Sequence, residues 1–229
     1  MIMQMKDICL KYDDKVLLNK VNETFDRGYI YIITGDSGCG KTTLLNVLSG
    51  TTEADSGVVI FDKQILNQNS IHVFRNRIGI MLQNSFLINE LTLIENLDFS
   101  NITDKELTSK LLKEMNMQDR INIKAGALSV GERQRASLIR VLSSKPDIIF
   151  ADEPTAALDL KNAELINRYL QAFVEEEKKT VFMVTHKSDV EFEFQKKIKL
   201  EEGKIIELKN SKRVIELRVE TGNEEGQKI

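Results

Sequence analysis

The chain has 229 residues, 41% hydrophobic and 29% charged, so it can bury a core without disulfide or metal staples. A formal net charge of -3 leaves no electrostatic footprint for broad nucleic-acid binding. Cys9 and Cys39 are too few for a disulfide framework and lack metal-ligand spacing, which points to a reducing compartment. The start of the chain carries Lys6 and Asp7 and lacks the long apolar stretch of a secretory signal. No run reaches the roughly 20 apolar residues that span a bilayer. Work at a membrane is therefore expected only through docking to another chain.

In chain order, residues 1–30 read as short strands with a turn at Asp13-Asp14-Lys15. The β-branched and aromatic run 29–33, flanked by Gly28 and Gly35, reads as a buried strand. Leu44, Leu45, Val47 and Leu48 recur at helical spacing until Gly50. Short strands are expected over 58–61 and 78–82, then a helical pattern over 91–120 and a helix over 129–142. An apolar strand over 148–151, an amphipathic helix over 163–178 and a strand over 181–184 follow. A hairpin over 198–200 and 204–208 closes around Glu202-Gly203. The charged segment 209–229 reads as an extension, either a solvated tail or an element that docks through Val214, Ile215, Leu217 and Val219. Strands alternating with helices argue for an α/β fold with a mainly parallel sheet, interrupted by an inserted helical subdomain.

Chemistry concentrates at the strand ends. Gly35-Asp36-Ser37-Gly38-Cys39-Gly40-Lys41-Thr42 fits G-x-x-x-x-G-K-[ST], with a strand before it and a helix after it. Glycines let successive N–H groups turn toward phosphate oxygens, and the helix N-terminus adds its positive end. Lys41 then supplies a cation for the β- and γ-phosphates, and the Thr42 hydroxyl is placed to ligate Mg²⁺. Cys39, inside this loop, is either a regulatory thiol or an inert small residue. The strand 148–151 runs into Asp152 and Glu153, where a parallel sheet opens its ligand crevice. There Asp152 is expected to hold the Mg²⁺ shell and Glu153 to polarise an attacking water.

A phosphate loop alone serves kinases, GTPases and ATPases. Leu128-Ser129-Val130-Gly131-Glu132 discriminates, because it resembles the Leu-Ser-Gly-Gly-Gln signature of the ABC (ATP-binding cassette) family. Asp152-Glu153-Pro154-Thr155-Ala156-Ala157-Leu158-Asp159 is similar to that family's second acidic motif and D-loop. Gln83 resembles its Q-loop glutamine, His186 its switch histidine and Tyr12 the aromatic that stacks on adenine. The resemblance covers about 1–208, with all motifs in order.

It implies a P-loop NTPase core, an N-terminal antiparallel β subdomain and a helical subdomain inserted at about 84–142. It implies ATP with Mg²⁺ as ligands: a nucleotide site at Tyr12, Gly35–Thr43, Gln83, Ser129 and Gly131, with Thr42, Gln83 and Asp152 around the metal. Glu153, His186 and Lys41 would be catalytic. Two copies would sandwich ATP head to tail, Ser129 and Gly131 of one copy facing the phosphate loop of the other. The partner would be a transmembrane permease, with the chain at the cytoplasmic face of the membrane. Among its members the chain looks like the stand-alone ATPases of lipoprotein, macrolide or antimicrobial-peptide export, a look that Asn96 in Glu95-Asn96-Leu97 fits.

The chain departs from the pattern at Val130, at Glu132 and at Ala156, where the family often has serine. Plainer structural readings stand beside the site: Tyr12 as a strand aromatic, Gln83 as a strand-end amide, His186 as a core histidine, Ser129 as a helix cap, Asp159 as a helix-start acid. A non-transport ABC ATPase of the cell-division or iron–sulfur assembly type stays open as the alternative.

Overall fold

The computed structural model describes residues 1–13, 15–67, 69–74, 76–81, 87–98, 104–156, 158–185 and 191–210, with the backbone alone for 207–210. The chain begins with a long hairpin, β1 (Met3–Tyr12) and β2 (Lys15–Phe25), closed at the predicted turn, where Tyr12 pairs with Lys15. Along β1, Met3, Met5, Ile8 and Leu10 are buried, as a sheet with one covered face requires. β1 also pairs antiparallel with β4 (Ser56–Phe61), and β4 with β5 (Gln64–Leu66), giving a four-stranded sheet of order β2-β1-β4-β5.

β3 (Ile30–Thr34) is buried at four successive positions, so water reaches neither face of it. It lies in a six-stranded sheet of order β10-β9-β3-β8-β7-β6. The strands β6 (Ile78–Met81), β7 (Ile148–Asp152), β8 (Thr180–Val184) and β9 (Gln195–Glu201) run parallel with it, and β10 (Lys204–Asn210) returns antiparallel at the edge. The mainly parallel sheet and the antiparallel N-terminal sheet are thus both present. Lys209 and Asn210 still pair in β10; the rest of the predicted extension lies outside the described residues.

Strand alternation sorts the sheet into two cores. Tyr31, Ile33, Phe150 and Phe182 face β1, β2, β4 and α1 (Lys41–Leu48). Ile30, Ile32, Ile149, Val181 and Met183 face the opposite layer of helices. That layer holds α3 (Leu93–Asp98), α4 (Lys105–Glu114), α5 (Val130–Ser143) and α6 (Leu160–Glu175). A short α2 (Ile71–Phe74) leads into β6.

The helical pattern over 91–120 divides into α3, α4 and a 3₁₀ turn at Gln118–Arg120. Asp104 starts α4 afresh, its carboxylate accepting from Leu107 N–H at 2.9 Å, and Asn116 turns left-handed just past its end. The leucine spacing carries across these breaks because Leu93, Leu97, Leu111 and Leu112 all bury into the one core. α6 begins three residues earlier than its apolar face suggests, since Asp159 caps it by accepting from Asn162 N–H at 2.8 Å. β5 and α2 are too short to show a period in the sequence.

Phe182 is the centre of the first core. Its ring stacks on Tyr31 at 4.8 Å and on Phe150 at 5.4 Å, with Phe25 edge-on at 4.8 Å. Phe182→Ala is expected to lower unfolding stability by about 3–5 kcal/mol, read from urea unfolding; a loss under 1 kcal/mol would mean that the stack closes around the gap.

Candidate active site

The phosphate loop leaves β3 at Gly35 and enters α1 at Lys41. Gly35 has φ 145°, and a Cβ there would lie 2.4 Å from the Leu200 carbonyl oxygen of β9, so only glycine fits. Gly40 caps α1 at φ 105° without a side chain, which leaves the helix's first N–H groups to an anion. Lys41 is 6% exposed, and its Nζ donates to the carbonyls of Gly35 and Asp36, both at 2.8 Å. Those bonds satisfy an ammonium that burial would otherwise penalise. Asp36 is exposed and contributes its carbonyl; Cys39 is half-buried, its Sγ against Gly35.

β7 delivers the acids. Asp152 pairs with Val184 of β8, and Ile33 of β3 pairs with the same Val184. The ends of β3 and β7 therefore stand one strand apart, and the Thr42 hydroxyl donates to Asp152 Oδ2 at 3.0 Å. Glu153 is 9% exposed and left-handed at φ 49°, held there by its N–H donating to Val184 O at 3.0 Å. That backbone costs on the order of 1 kcal/mol for a residue with a Cβ. It turns the chain sharply off the strand.

A cleft of about 370 Å³ joins these parts. Ser37, Gly38, Gly40, Lys41, Thr42, Thr43, Asp152 and Glu153 form its walls, with Leu17 and Val184. Tyr12 is outside those walls, at the end of β1 and 72% exposed. Gln83 and His186 lie outside the described residues. The hydroxyl and carboxylate oxygen brought together at Thr42 and Asp152 suit a hard cation such as Mg²⁺, which takes one or two carboxylates and completes its shell with phosphate and water.

Ser129 and Gly131 are also outside the cleft walls, at the start of α5. Ser129 is the helix cap, as its plainer reading holds, within a full capping box. Its Oγ accepts from Glu132 N–H at 3.3 Å, and Glu132 Oε2 accepts from Ser129 N–H at 2.8 Å. Val130 is the first residue of the helix and is not among those of positive φ, so the backbone there has no need of glycine. Arg120 Nε donates to Glu132 Oε1 at 2.6 Å. That bond, with the one from Ser129 N–H, holds the Glu132 carboxyl down to about 2.

Several contacts that no sequence motif marks brace the site. Lys15 Nζ donates to Gly38 O at 2.8 Å, bracing the loop from the hairpin. Gln134, 7% exposed, donates to Pro154 O at 3.0 Å. Arg135 bonds Asn162 Oδ1, and Asn162 Nδ2 donates to Asp159 Oδ2 at 2.9 Å, so the signature helix is tied to the segment after the acids. Apart from the bond within Asp159–Asn162, these contacts join residues at least 20 positions apart, and none has a spacing that marks it.

With this geometry in view, comparison with known proteins decides the family. A model of the ABC transporter family matches residues 18–156. The chain belongs to that family. It is an ATP-binding cassette that hydrolyses ATP, the ATP-binding subunit of a transporter. It is 34% identical over 213 residues to the lipoprotein-releasing system ATP-binding protein LolD of Leptospira interrogans, covering 89% of this chain and 90% of that one. The methionine import ATP-binding protein MetN of Lactobacillus acidophilus is 30% identical over 227 residues, 90% of this chain and 64% of its own length. Among solved structures, the dimeric post-hydrolysis state of an ATP-binding cassette bound to ADP and Pi matches with TM-score 0.83 and 30% identity, over 91% of this chain and 98% of that one.

Because the Glu132 carboxyl titrates below its usual 4.5, its contribution to stability is full above about pH 4.5 and is lost as pH falls toward about 2. Glu132→Gln keeps the cap and loses the titration. Wild type is therefore expected to lose stability faster than Glu132→Gln across that window, measured by denaturant unfolding at successive pH values; parallel curves would rule the effect out.

Proposed function

We propose that the chain powers a separate membrane permease by closing around ATP as a head-to-tail dimer, for export of a peptide, lipoprotein or drug-like substrate. The observation that carries the site is the meeting of Thr42 and Asp152 at the mouth of the cleft that Lys41 and Glu153 line. In this reading the loop N–H groups from Gly38 to Thr43 and the Lys41 ammonium bind the β- and γ-phosphates. Lys41 exchanges its two carbonyl partners for phosphate oxygens. Thr42 and Asp152, with Gln83, hold Mg²⁺, which neutralises phosphate charge when bound. Tyr12, exposed at the end of its strand, offers a ring face to the adenine.

Glu153 takes the proton of the attacking water, and His186 supports the γ-phosphate. Neither needs to form a covalent bond, since phosphoryl transfer is governed by positioning and charge stabilisation. Ser129 and Gly131 stand outside the cleft of their own chain, which fits service to the nucleotide of a second copy. Such a two-fold contact closes while a γ-phosphate bridges it and opens after hydrolysis, so the work comes from the different affinities of ATP and ADP for the closed state. The dimeric state of the related cassette supports this.

Among the described residues no helix is long and apolar enough to cross a membrane. Docking to a permease at the cytoplasmic face is supported by the likeness to the ATP-binding protein of a lipoprotein-releasing system. The segment 83–92 and the helices after it would receive that permease. Export rests on the near end-to-end match to LolD, where the MetN relative is a longer protein.

Lys41→Ala is expected to lower ATP turnover by about 10²-fold or more; near-normal turnover would remove Lys41 from the site. Glu153→Gln is expected to lose about 10²–10⁴-fold in turnover while remaining dimeric with ATP. Tagged Glu153→Gln drawn from native membranes with ATP should bring down a multi-span membrane protein, identified by mass spectrometry. Soluble partners alone, from well-solubilised membranes, would favour a non-transport ATPase.

A further inference from the structure

The signature segment carries a charge problem. In the sandwich reading, the start of α5 receives the γ-phosphate held by another copy. Where the family usually has a neutral glutamine, this chain places Glu132, in the first turn of that helix and hydrogen-bonded to Ser129 itself. A carboxylate there favours the helix N-terminus in the isolated subunit but repels an incoming phosphate.

Arg120 meets that carboxylate. It ends the 3₁₀ turn Gln118–Arg120, twelve residues before Glu132, and its Nε donates to Glu132 Oε1 at 2.6 Å. Both carboxylate oxygens are then engaged: Oε1 by Arg120 and Oε2 by Ser129 N–H. The arginines of α5 nearest in sequence are directed elsewhere. Arg133 bonds Asn89 Oδ1 and Ala125 O, and Arg135 bonds Asn162. Arg120 is 47% exposed, so water screens much of what its bond with Glu132 adds to folding. Its field at the helix start matters more than its contribution to stability.

We infer that Arg120 is a positioning residue for the ATP-bound dimer: by pairing with Glu132 it makes the start of α5 electrically acceptable to the phosphate of a second copy and holds Ser129 in place. The inference rests on the sandwich reading. In its terms Glu132 and Arg120 act as one neutral unit in place of the usual glutamine. Removing the arginine leaves an uncompensated anion beside the phosphate; removing both charges restores neutrality, because glutamine can keep the capping box.

The test uses the full chain with Glu153→Gln as parent, and ATP titrations of dimer formation by analytical ultracentrifugation. Arg120→Ala in that background is expected to raise the ATP concentration for half-dimerisation by about tenfold or more. Adding Glu132→Gln should bring it back to within about twofold of the parent. The Arg120→Ala deficit should also shrink as salt rises, relative to the parent at the same salt.

An Arg120→Ala variant that dimerises like the parent overturns the inference. So does a double variant as weak as Arg120→Ala, with thermal unfolding in the absence of nucleotide lowered in parallel, which would make the pair a structural staple. A parent that stays monomeric with ATP refutes the sandwich reading instead, and is told apart because it fails before Arg120 is touched.

Discussion

The hydrogen bond from Thr42 to Asp152 joins residues 110 positions apart, and the order of the sheet makes it possible. β3 and β7 do not touch; β8 lies between them, and both are in register with Val184 at its end. A loop that leaves β3 and an acid that leaves β7 then arrive at the same crevice, the ligand position of open parallel sheets. Register is decisive. A slip of one residue in β7 would turn Asp152 to the opposite face and carry Phe150 out of its stack with Phe182. The aromatic core and the polar site therefore fix each other: alternate residues of one strand pack Phe150 and Ile148 into the core on one side, and the strand's last residue meets Thr42.

The site is assembled from groups in costly states. Lys41 is a buried cation, Glu153 is a buried residue in left-handed backbone, and the loop bends at glycines whose φ values other residues rarely adopt. Each is held by the surrounding frame: the loop carbonyls around Lys41, the Val184 carbonyl against Glu153 N–H, and the β9 backbone packed so close to Gly35 that no Cβ fits. Local strain persists where the rest of the fold over-determines it, and here a parallel sheet buried on both faces supplies the rigidity.

Much of this was legible in the sequence because the informative signals are local. The glycine-lysine loop lies between a strand and a helix in the chain, and the paired acids end an apolar run, so both could be placed without knowing the topology. A sheet covered on both faces was legible as class, since the unbroken apolar and aromatic run 29–33 announces a strand with no wet face, and β3 is buried at four successive positions. What escaped depended on contacts between distant residues or on short elements. The pattern over 91–120 looked continuous because its leucines serve one core, while Asp104 and Asn116, which break it, are unremarkable in a polar stretch. Lys15 is the last residue of an expected turn, and only the fold of the hairpin brings it to Gly38. Arg120 carries no motif at all; its importance is visible only once Glu132 is seen beside it.

The start of α5 and the end of β7 also constrain one another. Gln134 reaches the Pro154 carbonyl immediately after the acids, and Arg135 reaches Asp159 through Asn162, so the helix that presents Ser129 is bonded twice to the segment that follows Glu153. Gly131 packs against the same Asn162, where a Cβ would come within 3.4 Å of its Nδ2. If one copy supplies Glu153 to its own nucleotide and Ser129 to another's, those two surfaces are spaced by hydrogen bonds and cannot be adjusted independently. A Cβ at position 131 would meet Asn162 at ordinary contact distance, so packing within the chain leaves room for one, and in the sandwich reading it is the approach of a phosphate that asks for glycine there. Position 130 faces solvent at the first turn, free of that constraint, and there the sequence could exchange glycine for valine.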